Sequence, residues 1–298
     1  MGVDRGNVSF GPLEFNNDRY CRFYEGHIRS RDFKAVNITS SPVSIRSYVL
    51  SFTESEQKNI IRDLVEARSG MVLPDAEFSW LKENKRASNF AWLWLKTATA
   101  NDFRELCDSS ALPPVAESER ECTYFDSILG RQLSKDSDHH YAQICAFFDS
   151  WLFPVSFKQN LMSGLKNKWS KSNSRPIKYD WLDGCNDTQC KWAWEYAGKN
   201  YPACSLFYPK SSVEKRDFII AVFDTIAHGS DAMLGVMKFR KAWSQRVFRD
   251  KQEGKVPLNT YISKETKEML DMISRRYDEK MYKTLERIIK EFHVNSGV

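Results

Sequence analysis

No stretch of this 298-residue chain approaches the roughly twenty consecutive apolar residues that a helix needs to cross a bilayer. The opening Met1-Gly2-Val3-Asp4-Arg5 also lacks the apolar core of a secretory signal. Both absences predict a cytosolic chain with no membrane partner. Position six is Gly6, not the Ser or Thr that a myristoylation signal wants behind Gly2. A Gly-rich phosphate loop, a nucleophile elbow and a His-Glu-x-x-His pair are all missing, so no cofactor is expected from these signatures. Seven cysteines, odd in number and irregular in spacing, suit a reducing compartment better than a disulfide framework. Cys185, Cys190 and Cys204 lack the paired close spacing of a zinc module and have no evident fourth ligand, so no metal is expected there.

What is present is ordinary globular composition, 42% apolar and 28% charged, in a chain long enough for two domains. The predicted fold class is mainly α: a multi-helix N-terminal domain with a short mixed α/β start, followed by a C-terminal module. The likeliest strands of the start are Phe33 to Ile38 and Ser44 to Phe52. Helices are predicted over Glu54–Ala67, Asp75–Glu83, Asn89–Thr97, Asp102–Cys107, Ser118–Leu133, Tyr141–Leu152, Ser156–Trp169, Thr188–Ala197 and Val213–His228. Ser156 with Gln159 has the spacing of a capping box, and Gly198 and Gly229 fall where helices should stop. Ser170 to Asp187 is the most loop-like interior stretch. The boundary is placed near Gly229, giving an accessory or effector domain over 1–229 and a basic module over 230–298. Trp80, Trp92, Trp94, Trp151, Trp169, Trp181, Trp192 and Trp194 recur at helical spacing beside Leu and Ala, the pattern of core.

Charge is unevenly spread. Ala232 to Val298 holds fifteen Lys and Arg against nine Asp and Glu, whereas the preceding residues hold 29 against 30. The excess is densest from Lys238 to Lys255. Ser230 can cap a helix here that ends near Gly254, with Met233, Val236, Met237, Trp243 and Phe248 on its apolar side. Lys238, Arg240, Lys241, Arg246, Arg249 and Lys251 then form a cationic face suited to DNA phosphates, where released counterions supply affinity. A solvated face is the plainer alternative. Lys166-Asn167-Lys168-Trp169-Ser170-Lys171 resembles Arg240-Lys241-Ala242-Trp243-Ser244-Gln245, the pattern of a degenerate repeat or a second DNA-contacting helix.

From Leu258 to Ser263 the chain alternates, with Leu258, Thr260 and Ile262 on one face and Asn259 and Tyr261 on the other, which predicts a strand. Its unpaired backbone would be completed by the same strand of a second copy. Two amphipathic helices should follow. The first is capped by Ser263 and striped by Thr266, Met269, Leu270 and Ile273; the second carries Met281, Leu285, Ile288, Ile289 and Phe292. Elements this small do not close a core alone, a second reason to expect a homodimer.

On these residues, Asn259 to Ile289 resembles a ribbon-helix-helix domain of the Arc and MetJ superfamily, in a register close to that of MatP-type chromosome organisers. Asp278-Glu279-Lys280-Met281-Tyr282-Lys283-Thr284-Leu285 stands where that family has a turn, a small-polar helix start and an apolar anchor. The resemblance covers about a seventh of the chain. It implies that Asn259 and Tyr261, with Lys255 before them, contact bases of double-stranded DNA, and that the second helix, beginning near Lys280, presents its N-terminus to a phosphate. It further implies a dimer core of Leu258, Thr260, Ile262, Met269, Leu270, Ile273, Leu285, Ile288 and Ile289. Two departures stand out: Asp278 replaces the usual turn Gly, and Pro257 removes a ribbon donor. The bland alternative is a helical hairpin used only for dimerisation.

The competing enzyme reading rests on Pro74-Asp75 with Glu83-Asn84-Lys85, which match the letters of the PD-(D/E)xK nucleases, where carboxylates hold magnesium. That resemblance wants Glu83 and Lys85 on a strand, but Ala76 to Lys85 reads as helical. His139 and His140 follow Asp136 and Asp138, yet adjacent histidines on a helix diverge. The combined expectation is a prokaryotic, cytosolic, nucleoid-associated homodimer with no catalytic residue. It would bind specific double-stranded DNA as a transcriptional regulator or DNA organiser, with an N-terminal domain that bridges dimers, binds a protein partner or senses a ligand; a metal-dependent nuclease or a toxin or defence effector is the alternative.

Overall fold

Helix α1 (Asp18–Arg31) begins where the Asn17 side chain accepts the Arg19 backbone N–H at 3.0 Å. The computed structural model to which it belongs describes residues 10–32, 35, 37–107, 123–129, 137–151, 153–251, 254, 256 and 258–297. Further helices are α2 (Pro42–Leu50), α3 (Glu54–Met71), the short α4 (Ser79–Lys82), α5 (Lys85–Thr97), α6 (Ala100–Cys107), α7 (Tyr124–Leu129) and α8 (His140–Ser150). After these come α9 (Val155–Asn173), α10 (Asp187–Asn200), α11 (Ser212–Thr225), α12 (Gly229–Asp250), α13 (Lys264–Arg276) and α14 (Met281–Ser296). No helix among the described residues is long and apolar enough to cross a membrane. The chain divides into two units, Met1–Ser244 and Gln245–Val298, so the division falls inside α12.

The first unit holds two apolar clusters. The smaller gathers Leu13, ahead of α1, with Cys21, Tyr24, Ile28, Ile45, Val49, Ile61 and Leu64 from α1, α2 and α3. The larger is built around α5, in which every residue from Ala87 to Leu95 is buried. A helix apolar on all sides has to be surrounded, and α5 packs against α11, α8 and α9. Most of its buried polar groups are bonded, Asn89 Nδ2 being an exception. Ser88 Oγ donates to Leu81 O at 3.0 Å, Asn89 Oδ1 lies 2.9 Å from His140 Nδ1, and Trp92 Nε1 donates to Gln143 Oε1 at 2.7 Å. Trp92, Trp94, Trp151 and Trp169 are buried in this core, and Trp80, Trp181, Trp192 and Trp194 pack against it, as their spacing predicts.

Several sequence expectations need correction. Among the described residues there is no strand, so what they show of the start is helical and not mixed α/β. Ser44 to Phe52, expected as a strand, lies mostly in α2: Ser41 accepts the Ser44 N–H, Pro42 opens the helix, and Ile45 and Val49, one turn apart, are both fully buried. Of Phe33 to Ile38, residues Phe33, Lys34 and Val36 lie outside the described residues, as do 118–122 and 130–133 of the helix expected over Ser118–Leu133. Helix α1 itself was not anticipated, since its buried Arg19 blurs the apolar period. The Ser156 capping box is not formed; α9 starts behind Pro154, whose fixed backbone suits a helix entry, and runs into the expected loop as far as Asn173. Gly198 lies within α10, while Gly229 and Ser230 lie within α12.

Gly235 in α12 marks a close approach. A Cβ there would stand 2.7 Å from the Phe223 ring and 2.8 Å from Tyr201 Oη. Phe223 is itself buried and cannot retreat. Gly235→Ala should therefore destabilise the protein by about 1–3 kcal/mol through overpacking. Gly198→Ala, in open space on α10, should be stabilising by roughly 0.5–1 kcal/mol. Chemical denaturation of the two variants in parallel would check the opposite signs.

Candidate functional site: the C-terminal hairpin

Ser263 caps α13 as expected, its Oγ accepting the Thr266 N–H at 3.1 Å. The helix turns back at Tyr277-Asp278, where Asp278 takes φ 49°, the left-handed conformation that Asp tolerates better than most residues. Asp278 thus serves in place of Gly. Inside the hairpin, Ser274 Oγ donates to Thr284 Oγ1 at 3.1 Å, with Thr284 fully buried. Arg287 closes the turn: its Nε donates to Glu279 at 3.2 Å and its guanidinium lies 4.2 Å from the Tyr277 ring centre.

Apolar packing in this unit is thin. Leu270 is its one buried hydrophobic side chain among the described residues. Ile273, Leu285 and Ile288 are half-buried, whereas Met269, Met272, Ile289 and Phe292 stay more than half exposed. Met281, Leu285, Ile288, Ile289 and Phe292 share one face of α14, so the stripe read from the sequence exists but is only partly covered within the hairpin. Met269, Met272, Ile289 and Phe292 leave apolar surface open.

The strand that a ribbon-helix-helix domain requires is absent among the described residues, so that expectation fails. Residues 258–263 form no strand, and both faces of the alternation are open: Leu258 is 66% exposed, Ile262 46% and Tyr261 fully exposed, with Asn259 and Thr260 exposed beside them. Period-two alternation indicates a strand only when one face is buried and the backbone is paired, and neither condition holds for this segment. Leu258, Thr260 and Ile262 therefore do not form a core within the chain. Lys255 and Pro257 lie outside the described residues.

The anticipated phosphate contacts Lys238, Arg240, Lys241, Arg249, Lys251 and Lys280 are all exposed. Arg246 is half-buried and 3.6 Å from Asp250. Lys280 precedes α14 at its N-cap. Further cations of this unit lie beyond the expected contacts: Lys264, Arg275, Arg276, Lys283 and Lys290 are exposed and have no carboxylate partner among the described residues. Arg275-Arg276 was visible as a pair, but only the helix boundary at the turn puts both on open surface.

The residues of the enzyme reading are spread over unlike settings. Asp75 pairs with Arg19 through Oδ1 and accepts from Asn17 Nδ2 at 2.8 Å through Oδ2. Glu83 ends α4, and Lys85 opens α5 with its Nζ 3.5 Å from Asp138; none of the three is on a strand. No group of three His, Cys, Asp or Glu residues among the described residues is placed to hold a metal ion. His139 is exposed, and His140 is fully buried, stacked 4.0 Å from Trp92. Burial pushes the Cys204 thiol up to about 12 and the Cys145 thiol up to about 11, far from reactive thiolates. Cys190 donates to Asp183 O at 3.2 Å, and Cys185 is exposed. In the two similar basic segments each Trp turns inward, Trp169 onto Phe90 at 5.4 Å and Trp243 onto Trp192 at 5.1 Å. Lys166 and Lys171 point to solvent.

No protein-family model, no curated protein and no solved structure matches this chain.

Proposed function

We propose that the chain is a homodimer joined through the α13–α14 hairpin, and that it binds double-stranded DNA through the cations of its C-terminal region, in a regulatory or DNA-organising role. The observation that carries this reading is the uncovered apolar stripe of the hairpin. Two helices with a single buried hydrophobic side chain are too little core to hold themselves in place. A second copy supplies an identical stripe, and a two-fold axis brings Met269, Ile273, Ile289 and Phe292 of each protomer against the same residues of the other. DNA binding is supported by the positive balance after Ala232 and by cations that have no acidic partner among the described residues. This reading needs no ribbon: the helices pair the protomers and the cations meet the phosphates.

Sedimentation equilibrium of the full chain should give a dimer at micromolar concentration, and Met269→Glu/Ile289→Glu should give a monomer with unchanged near-ultraviolet dichroism from the tryptophan-rich first unit. A monomeric wild-type chain would remove the proposal. Affinity for a mixed-sequence duplex should fall about a thousandfold between about 50 and 200 mM salt if about six phosphates are neutralised. Arg275→Ala/Arg276→Ala should lower that salt slope by about two. A dimer indifferent to duplex DNA would leave the hairpin as a dimerisation device alone.

A further inference from the structure

A cleft of about 590 Å³ lies in the first unit, between one face of α1, the end of α3 at Met71, and α8 from Ala146 to Ser150. Its volume falls within the roughly 300–1,000 Å³ usual for small-molecule sites. Apolar surface dominates the walls: the Phe23 ring, stacked on His27 at 5.6 Å and 27°, lines the cleft together with Met71, Ala146 and Gly26. Gly26 is the gap in the α1 face, because a Cβ placed there would meet no atom within 4 Å.

The charges around the cleft are not equally free. Arg19 is held by Asp149, Asp75 and the Leu73 carbonyl, and Asp63 takes up both His27, at 3.0 Å, and Arg31. Asp149, the carboxylate that lines the cleft, already accepts from Arg19 at 2.9 and 2.6 Å. Arg22, exposed on the same face, has no carboxylate partner among the described residues. An apolar hollow with an aromatic wall and one uncommitted guanidinium is complementary to a small organic anion, with the charge on Arg22 and the body against Phe23 and Met71.

We infer that this cleft binds a small aromatic carboxylate. The inference does not depend on the dimer or on DNA, since every residue it uses lies in the first unit. The test is isothermal titration of the full chain with 2-naphthoate and with its neutral analogue 2-naphthalenemethanol. Naphthoate should bind once per chain, and the alcohol about tenfold or more weakly, since one charge-assisted contact is lost. Arg22→Gln should bring naphthoate down to the level of the alcohol. Gly26→Leu, which fills the hollow at a helical position with room for it, should abolish binding of both without lowering the urea midpoint. Absence of saturable naphthoate binding, equal binding of the alcohol, or binding untouched by both variants, which would place it on the apolar hairpin, would each overturn the assignment.

Discussion

Replacing Arg19 by alanine is expected to lower the free energy of unfolding by about 3–5 kcal/mol, the cost of stripping one partner from a buried ion pair. Arg19 Nε and Nη2 donate to the two oxygens of Asp149 at 2.9 and 2.6 Å, and Nη2 also donates to Leu73 O at 3.2 Å. Its guanidinium lies 4.4 Å from the Phe78 ring centre. Burial works against the charge of Arg19, yet the bonds and attraction of Asp149 prevail, so its pKa stands above the ordinary arginine value. Removing it leaves Asp149, only 16% exposed, facing an empty space. The pair with Asp75 matters less, because that carboxylate is 59% exposed and well screened.

Arg19 also has a structural position that enlarges the effect. It rises from α1, in the smaller apolar cluster, and its partners belong to the segment before α4 and to α8, in or beside the larger one. All nine tryptophans lie at or beyond Trp80, so their fluorescence reports the larger cluster while far-ultraviolet dichroism reports both. In Arg19→Ala the two signals should separate along a urea titration, with dichroism lost first. Arg19→Lys keeps the charge but not the two-pronged fork, and should fall between wild type and Arg19→Ala. A loss below about 1 kcal/mol for Arg19→Ala, in the range of a surface pair, would mean that this junction does not hold the two clusters together.

The second large effect is a pH dependence opposite in sign to that of most lysines. Lys158 in α9 is fully buried, and its Nζ donates to Met71 O at 2.6 Å and Phe148 O at 2.5 Å. Burial lowers its pKa from 10.5 to about 8; Asp149 acts the other way, and Arg19 adds to the depression. Between these two values the unfolded chain binds more protons than the folded one, so stability rises with pH across that window. Relief of the buried charge from about pH 7 to about pH 9.5 should amount to about 2 kcal/mol.

Tyrosines such as Tyr141 and Tyr179, pushed upward by burial, act in the opposite direction once the unfolded chain's phenols ionise, at and above 10. The measurement is therefore a difference. Wild type should gain about 2 kcal/mol relative to Lys158→Met over that interval, read from paired urea titrations. A difference that stays flat with pH would show that Lys158 titrates normally.

Much of the helical architecture is legible in the residues themselves. Apolar period identifies α3, α5, α8, α10 and α11 to within a few residues, since it depends on chemistry within one or two turns. The same local reasoning fails where a residue's partner is distant in sequence. Arg19 looks like a break in an amphipathic pattern until Asp149, 130 positions away, is seen to hold it. Lys158 looks like a solvent-facing cation until the ends of α3 and α8 close over it.

The C-terminal region divides in the same way. By itself the sequence determined the positive balance after Ala232, the apolar stripes of α13 and α14, the Ser263 cap and the turn at Asp278, all of which depend on near neighbours. Only the tertiary structure decided that residues 258–263 lack a paired strand, that the stripes remain uncovered, and that a cleft opens between α1 and α8. The reason is physical. Periodicity tells a segment which side to bury, but whether anything lies on that side is settled by elements brought together across the chain, or by a second chain.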